Sequence, residues 1–163
     1  MAKIFISLGS NIEREYYIHQ GLQALTDSFG PLDLSPLFES DPVGFSSQAF
    51  YNLVVGVCTD KSIAEVQACL KEIEYAHGRV INAQKYTPRT LDLDLLLYDD
   101  VISDQPVQLP RQDICCYAFV LWPLAELAGD LVHPVLKQTY RHLWQHNELS
   151  HQLLRKVPLN WPD

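Results

Sequence analysis

Asp92 and Asp94 stand one residue apart in PRTLDLDLLLYDD, residues 88–100, a run otherwise dominated by leucine. In an extended strand, residues i and i+2 project from the same face. The two carboxylates therefore share one face, and Leu91, Leu93 and Leu95 share the other. An edge strand with a solvated face would stay polar in that register, yet Leu96 and Tyr98 follow on the aspartate side. Two close carboxylates repel, and one pKa rises unless a cation sits between them. A hard divalent ion meets that need, because Mg²⁺ takes one or two carboxylates and completes its shell with water and phosphate oxygens. The pair predicts a Mg²⁺ site.

Arg79, Lys85 and Arg89 precede this strand in a polar stretch without a clear period, residues 79–90. Three basic residues in a loop are ordinarily a solvated face. Beside paired carboxylates they fit a second use, which is to hold phosphates next to a metal. The chain has neither G-x-x-x-x-G-K-[ST] nor G-x-G-x-x-G, so a nucleotide would be held by another device.

The elements that must position these groups are legible in outline. Residues 3–9 read as a strand closed by Gly9. Ser10 or Asn11 is placed to cap a helix with Glu13 and Glu15 in its first turn, an apolar side of Tyr17, Leu22, Leu25 and Phe29, and a stop at Gly30-Pro31. A strand over 34–40, a loop over 41–48 and a strand over 49–59 follow. Ser62 and Glu65 form a capping box that opens a helix to about Ala76, ended by Gly78. After the strand 91–98, Asp99-Asp100 turns the chain into a return strand at Val101-Ile102, and helices cover 119–128 and 139–147. The order β-α-β-β-α-β-β-α-α predicts an α+β fold, with helices on a mainly antiparallel sheet.

Composition sets the bounds. At 163 residues the chain fits one domain, and 47% apolar with 20% charged residues predicts a packed core. A net charge of -8 argues against a general nucleic-acid partner. No stretch approaches the ~20 apolar residues of a membrane span, and MAKIFISLGSN lacks a secretory pattern, so a cytoplasmic protein is expected. Cys58, Cys69, Cys115 and Cys116 form no C-x-x-C pair, and reduced thiols are expected. His142 and His146 lie i,i+4 on a predicted helix but lack a glutamate motif and an evident third ligand, and Trp122 and Trp144 read as packing residues.

PRTLDLDLLLY, with GSN near the start, DPVG and FYN in the middle and AFVLWPLAELAGDLVHP toward the end, resembles the 6-hydroxymethyl-7,8-dihydropterin pyrophosphokinase family, in order from about residue 3 to residue 134. The resemblance implies a ferredoxin-like α+β sandwich with helices on both faces of the sheet, forming a single domain over 1–163. It implies pyrophosphoryl transfer from ATP to a pterin alcohol in folate biosynthesis, with AMP leaving. It assigns two Mg²⁺ ions to Asp92 and Asp94, and ATP phosphates to Arg79 and Arg89. Glu74, Lys85, Arg111 and Gln112 complete the expected ATP-binding set. Phe50 and Phe119 match the two rings that enclose the pterin, Asn52 the amide that reads its edge, and Ser40, Asp41, Pro42 and Val43 the loop that supplies backbone contacts. A flat ring with amide-like edges suits two aromatic faces and one Asn, and Phe50 and Asn52 share a strand face. On residue type alone, Phe50 and Phe119 read as ordinary core.

The departures from the family concern the phosphate site. LPRQD places Arg111 where the family usually has His, giving a charge that does not switch near neutral pH. Tyr117 stands where a basic residue usually precedes A-F, which removes a charge-assisted contact worth about 1.5–3 kcal/mol. Ile81 replaces a second basic position, while Lys85 keeps a charge, Tyr86 keeps the usual aromatic, and IERE follows GSN where Leu-Gly-Asp is common. The pterin pocket and metal pair are retained while the basic shell is thinned, the pattern of a divergent member. Two alternatives stay open: a pterin- or nucleotide-binding paralogue with weak or no transfer, and a non-catalytic ferredoxin-like interaction module.

Overall fold

The computed structural model describes residues 1–40, 49–78 and 90–161. In chain order its elements are β1 (Ala2–Ser10), α1 (Arg14–Phe29), β2 (Asp33–Leu34), β3 (Leu37–Ser40), β4 (Phe50–Thr59), α2 (Ile63–Ala76), β5 (Asp92–Tyr98), α3 (Asp113–Cys116), α4 (Ala118–Ala128), α5 (Tyr140–Gln145) and β6 (Leu154–Val157). The strands form one antiparallel sheet in the order β5-β1-β4-β3-β6, with β2 also on β4.

Alternation along the strands creates two cores. Ile4, Ile6 and Leu8, with Leu53, Val55 and Val57 and with Leu93 and Leu95, form the first core with Leu22 and Leu25 of α1 and Val66 and Leu70 of α2. Phe5, Val54 and Leu97 form the second with Val120, Leu121 and Leu124 of α4 and the buried Tyr140. Helices thus cover both faces, the expected ferredoxin-like α+β arrangement. Among the described residues no helix is long and apolar enough to cross a membrane.

The β1–β5 pairing contains one irregularity. Phe5 pairs with Leu97 and Ile6 with Leu95, which leaves Leu96 as an extra residue. This bulge resets the alternation. Leu96 and Leu97 both join the second core, and Tyr98 packs on the first, not on the aspartate side that strict alternation predicts.

Other boundaries differ for identifiable reasons. The predicted strand 34–40 is broken at Ser35-Pro36, where proline has no N–H for a ladder bond. Ser35 bridges the break: its N–H donates to the Val54 carbonyl and its hydroxyl oxygen accepts from the Val54 N–H, both at 2.9 Å. The predicted return strand at Val101-Ile102 is not part of the sheet. Asp99, in the left-handed region at φ 50, ties the end of β5 back to Lys3 of β1 through two 2.8 Å bonds, and Val101 packs on the first core. Neither Ser10 nor Asn11 caps α1. Ser10 stays in β1, and Glu13, at φ 41, is the N-cap residue without a side-chain cap bond. β6 was not foreseen, because Arg155 and Lys156 interrupt any apolar run; they pair with Glu39 and Glu126 instead.

The capping box of α2 forms as read: Glu65 N–H donates to Ser62 Oγ at 3.2 Å, and Ser62 N–H donates to the Glu65 carboxylate at 2.8 Å. The Ser62 N–H first, then the Ser62 hydroxyl, hold the Glu65 carboxyl below the usual carboxylate range. Ser62→Ala should cost about 1 kcal/mol, read as a melting point lower by ~2–4 °C. A depressed carboxyl pKa contributes stability above the unfolded-state pKa, and that contribution fades as pH falls through the folded-state pKa. The difference in melting temperature between wild type and Glu65→Gln should therefore shrink on acidification through that range; a gap independent of pH would show that the carboxylate charge does not matter to the cap.

Candidate active site

Strand register brings distant residues into one row. Asp92 pairs with Gly9, Gly9 with Asn52, and Asn52 with Phe38. Directly paired residues share a face, so these four cross the sheet on its α4 side. Asp94, Ser7 and Val54 form the adjoining row. With strands about 4.8 Å apart, Asp92 and Asn52 lie roughly 10 Å from each other across β1.

Gly9 keeps the middle of the row open. A Cβ there would meet Asn52 Nδ2 at 2.8 Å, so the Asn52 amide lies over the glycine backbone. Asn52 is buried, and its Oδ1 accepts from the Ser40 hydroxyl at 3.3 Å. That bond fixes the amide orientation, with the oxygen toward β3 and the nitrogen over β1. Phe50 pairs with Ser40 and shares the face of Asn52. Ser40, Phe50, Asn52, Asp92 and Asp94, singled out by residue type and resemblance, thus lie on one surface of the sheet.

Phe119 comes from the first turn of α4, the helix over this face. Tyr117, which is exposed, stacks on it with ring centroids 4.9 Å apart and an interplanar angle of 25°. The turn is held from the C-terminal tail: Gln152 Oε1 accepts from Ala118 N–H at 2.7 Å, and Gln152 Nε2 donates to the Cys116 carbonyl at 3.0 Å. Sequence reasoning missed Gln152. No local pattern marks it, since its partners are 34 and 36 residues away.

The carboxylate end is built around β5, an edge strand of the described sheet. Leu93, between the two aspartates, donates its N–H to Glu74 Oε2 at 2.7 Å. Glu74 is buried on α2, so its carboxylate gives the outer edge of β5 an acceptor. On the far side of the bulge, Arg111 N–H donates to the Leu96 carbonyl at 3.0 Å. Arg111 Nη2 then lies 3.3 Å from Asp94 Oδ1, and its Nε lies 3.3 Å from Asp113 Oδ2. Burial works against the Arg111 charge, but Asp94, then Asp113 and Asp92, outweigh it and hold the guanidinium pKa above its ordinary value. Gln112 is exposed at the start of α3, where its carbonyl accepts from Cys115 N–H at 3.0 Å.

Asp92 and Asp94 are half-buried hard-oxygen donors on one strand face. Among the described residues, no three or more His, Cys, Asp or Glu side chains come close enough to hold a metal. Two carboxylates with no third such side chain among the described residues suit Mg²⁺ shared with phosphate oxygens, not a closed structural site. Asp41, Pro42, Val43, Arg79, Lys85 and Arg89 lie outside the described residues. A separate cleft of about 720 Å³, lined by Arg14, His19 and Tyr51 among others, lies on the opposite side of β4 from Asn52. Its arginine is already engaged by Glu39 at 2.6 Å and the Ala49 carbonyl at 2.9 Å.

A family model described as 7,8-dihydro-6-hydroxymethylpterin-pyrophosphokinase (HPPK) matches residues 5–129. The chain belongs to the HPPK family. A 2-amino-4-hydroxy-6-hydroxymethyldihydropteridine pyrophosphokinase of Pseudomonas aeruginosa is 36% identical over 140 residues, covering 81% of this chain and 84% of the relative. One from Aquifex aeolicus is 30% identical over 153 residues, covering 92% and 95%. Among solved structures, a Plasmodium falciparum HPPK-DHPS superposes with a TM-score of 0.70 at 14% identity, over 89% of this chain and 43% of that one. At that identity the likeness speaks for the fold alone. The HPPK match begins in β1 and ends just after α4, so it takes in every element that contributes to the row of Asp92, Gly9, Asn52 and Phe38.

Glu74→Ala should leave the Leu93 N–H without its buried acceptor and cost about 1–3 kcal/mol of stability. Glu74→Gln keeps an acceptor oxygen and should cost less. Equal melting temperatures for wild type and the alanine variant would show that the edge of β5 does not need this clamp.

Proposed function

We infer that this chain transfers the pyrophosphoryl group of ATP to 6-hydroxymethyl-7,8-dihydropterin, with release of AMP, as a step of folate biosynthesis. Family membership supports this reading, and the observation that carries it is the single row that has Asn52 at one end of an open glycine and Asp92 at the other. The spacing separates a ring-reading end from a phosphate end on one surface. Residues 1–163 act as one domain, in the cytoplasm.

Asn52, oriented by Ser40, reads the amide-like edge of the pterin. Phe50 and Phe119 supply its two ring contacts, and Asp41, Pro42 and Val43 the backbone contacts. Asp92 and Asp94 hold Mg²⁺, two ions on the family pattern, and the metal when bound supplies charge neutralisation at the phosphates. Arg79, Lys85, Arg89 and Arg111 hold phosphate oxygens, and Gln112 belongs to the same ATP-binding set; Glu74 acts through the β5 backbone as well as near the nucleotide. The substrate hydroxymethyl oxygen bonds to the β-phosphorus, the bond from that phosphorus to the α,β-bridging oxygen breaks, and the electron pair leaves on AMP. An aspartate carboxylate accepts the hydroxyl proton. Such transfers depend on positioning and charge more than on covalent help.

Tyr117 favours a second reading. The position where the family usually has a basic residue here stacks on Phe119 instead, which suits a protein that binds pterin well and transfers slowly. Incubation with ATP, Mg²⁺ and the pterin separates the two: AMP release that requires the pterin supports the enzyme, and binding of both ligands without AMP release supports the paralogue.

Asp92→Asn and Asp94→Asn should each lower turnover by ~10²-fold or more, the scale of losing one preorganised electrostatic contact, while the melting temperature holds. Near-normal Mg²⁺-dependent rates in both variants would sink the metal assignment. Gly9→Ala should push Asn52 off its seat and raise KM for the pterin about tenfold or more, with little change in KM for ATP. A variant that affects both substrates alike would remove Asn52 from pterin recognition.

A further inference from the structure

We propose that Arg111 is a built-in counter-ion for the carboxylate pair. Without nucleotide its guanidinium engages Asp94 in place of a divalent cation; when metal and triphosphate arrive together it releases Asp94 and turns to a phosphate oxygen. The proposal rests on the reading of Asp92 and Asp94 as metal ligands.

Three observations carry it. The Arg111 Nη2 stands 3.3 Å from Asp94 Oδ1, a carboxylate oxygen that a metal would use. Its main chain is bonded to the Leu96 carbonyl, two residues along β5 from Asp94, so the side chain can swing without leaving the site. Asp113, 3.3 Å from Nε, keeps an anion beside the guanidinium when Nη2 leaves Asp94. Arginine has five N–H donors in a planar fork, so the charge can stay beside Asp113 while Nη2 changes partner.

Charge gives the exchange a direction. Asp92, Asp94 and Asp113 all act on the Arg111 guanidinium, so carboxylates converge at the place to which a divalent ion would be drawn. A bound metal and a neighbouring guanidinium repel, which opposes entry of the metal alone. The triphosphate removes that opposition by giving Arg111 a new anionic partner. Arginine keeps its charge throughout the physiological range, so this brake is permanent where a histidine would release it on losing a proton. Metal and nucleotide then bind as a cooperative pair, and the carboxylates are not left as a standing site for free divalent ions.

The test uses Mn²⁺ alone as a spectroscopic stand-in for Mg²⁺. Loss of the free-ion paramagnetic resonance signal is titrated on the full chain without nucleotide, for wild type, Arg111→Gln, Arg111→Met, Arg111→Lys, Asp92→Asn and Asp94→Asn. Removing one repelling charge at a half-exposed site should tighten Mn²⁺ binding roughly tenfold in the Gln and Met variants. Arg111→Lys, which keeps the charge, should stay near wild type. With metal present, a non-hydrolysable ATP analogue should bind the Gln and Met variants more weakly than wild type, the opposite sign. The Arg111 main-chain bond survives every one of these substitutions, and melting temperatures verify folding. If Asp92→Asn and Asp94→Asn weaken Mn²⁺ binding but Arg111→Gln and Arg111→Met do not tighten it, the counter-ion role is overturned and the metal pair stands. If the aspartate variants bind Mn²⁺ as wild type does, or no protein binds it, the metal reading falls and this proposal falls with it.

Discussion

A strand at the edge of a sheet offers one row of backbone groups to no neighbouring strand, and such an edge tends to shift or pair wrongly unless it is covered. β5 carries Asp92 and Asp94 from that position, and slippage by one residue would turn both carboxylates to the opposite face. Three contacts prevent this. Glu74 takes the Leu93 N–H, the Leu96 carbonyl takes the Arg111 N–H, and Asp99 ties the end of the strand to Lys3. The bulge at Leu96 belongs to the same arrangement. It lets two consecutive leucines enter the second core, and the Leu96 carbonyl anchors the segment that brings Arg111 to Asp94.

The middle of the site depends on an absence of volume. Gly9 lies between Asp92 and Asn52 in register, and any side chain there would occupy the space of the Asn52 amide. A strand glycine ordinarily weakens packing; here it sits where another side chain crosses close to the backbone. Ser40 completes the effect by taking the amide oxygen, so a buried Asn arrives with its donor side oriented.

The far end of the chain contributes more than the recognisable motifs suggest. β6 extends the sheet beyond β3 through residues that look solvated in sequence, and its cations meet Glu39 and Glu126. Lys156 also lies 5.6 Å from the ring centre of Trp122, which stacks on Trp144 and contacts Phe38. Gln152 then fixes the turn that precedes Phe119. The tail thereby links the outer strand to the helix over the candidate pterin surface.

Local chemistry determined much of this in advance. The alternation of DLDL put both aspartates on one face, Ser62 and Glu65 set the start of α2, and the apolar periods placed the long strands and helices, because each of those signals acts between residues a few positions apart. What failed were inferences whose physical partner is distant. Strict alternation misplaced Tyr98, since the bulge exists only in the pairing with β1. Ser10 looked like a cap but stays in β1, which pairs as far as Tyr51 of β4. Val101-Ile102 looked like a strand, but Val101 packs on a core made by other elements while Ile102 is exposed, and β6 carried no strand signal until β3 and two glutamates gave it partners. The sequence alone therefore supplied the reacting residue types and the faces they occupy. The tertiary structure decided which of them meet, because register across β5, β1, β4 and β3, not spacing along the chain, sets Asp92, Gly9 and Asn52 in one row.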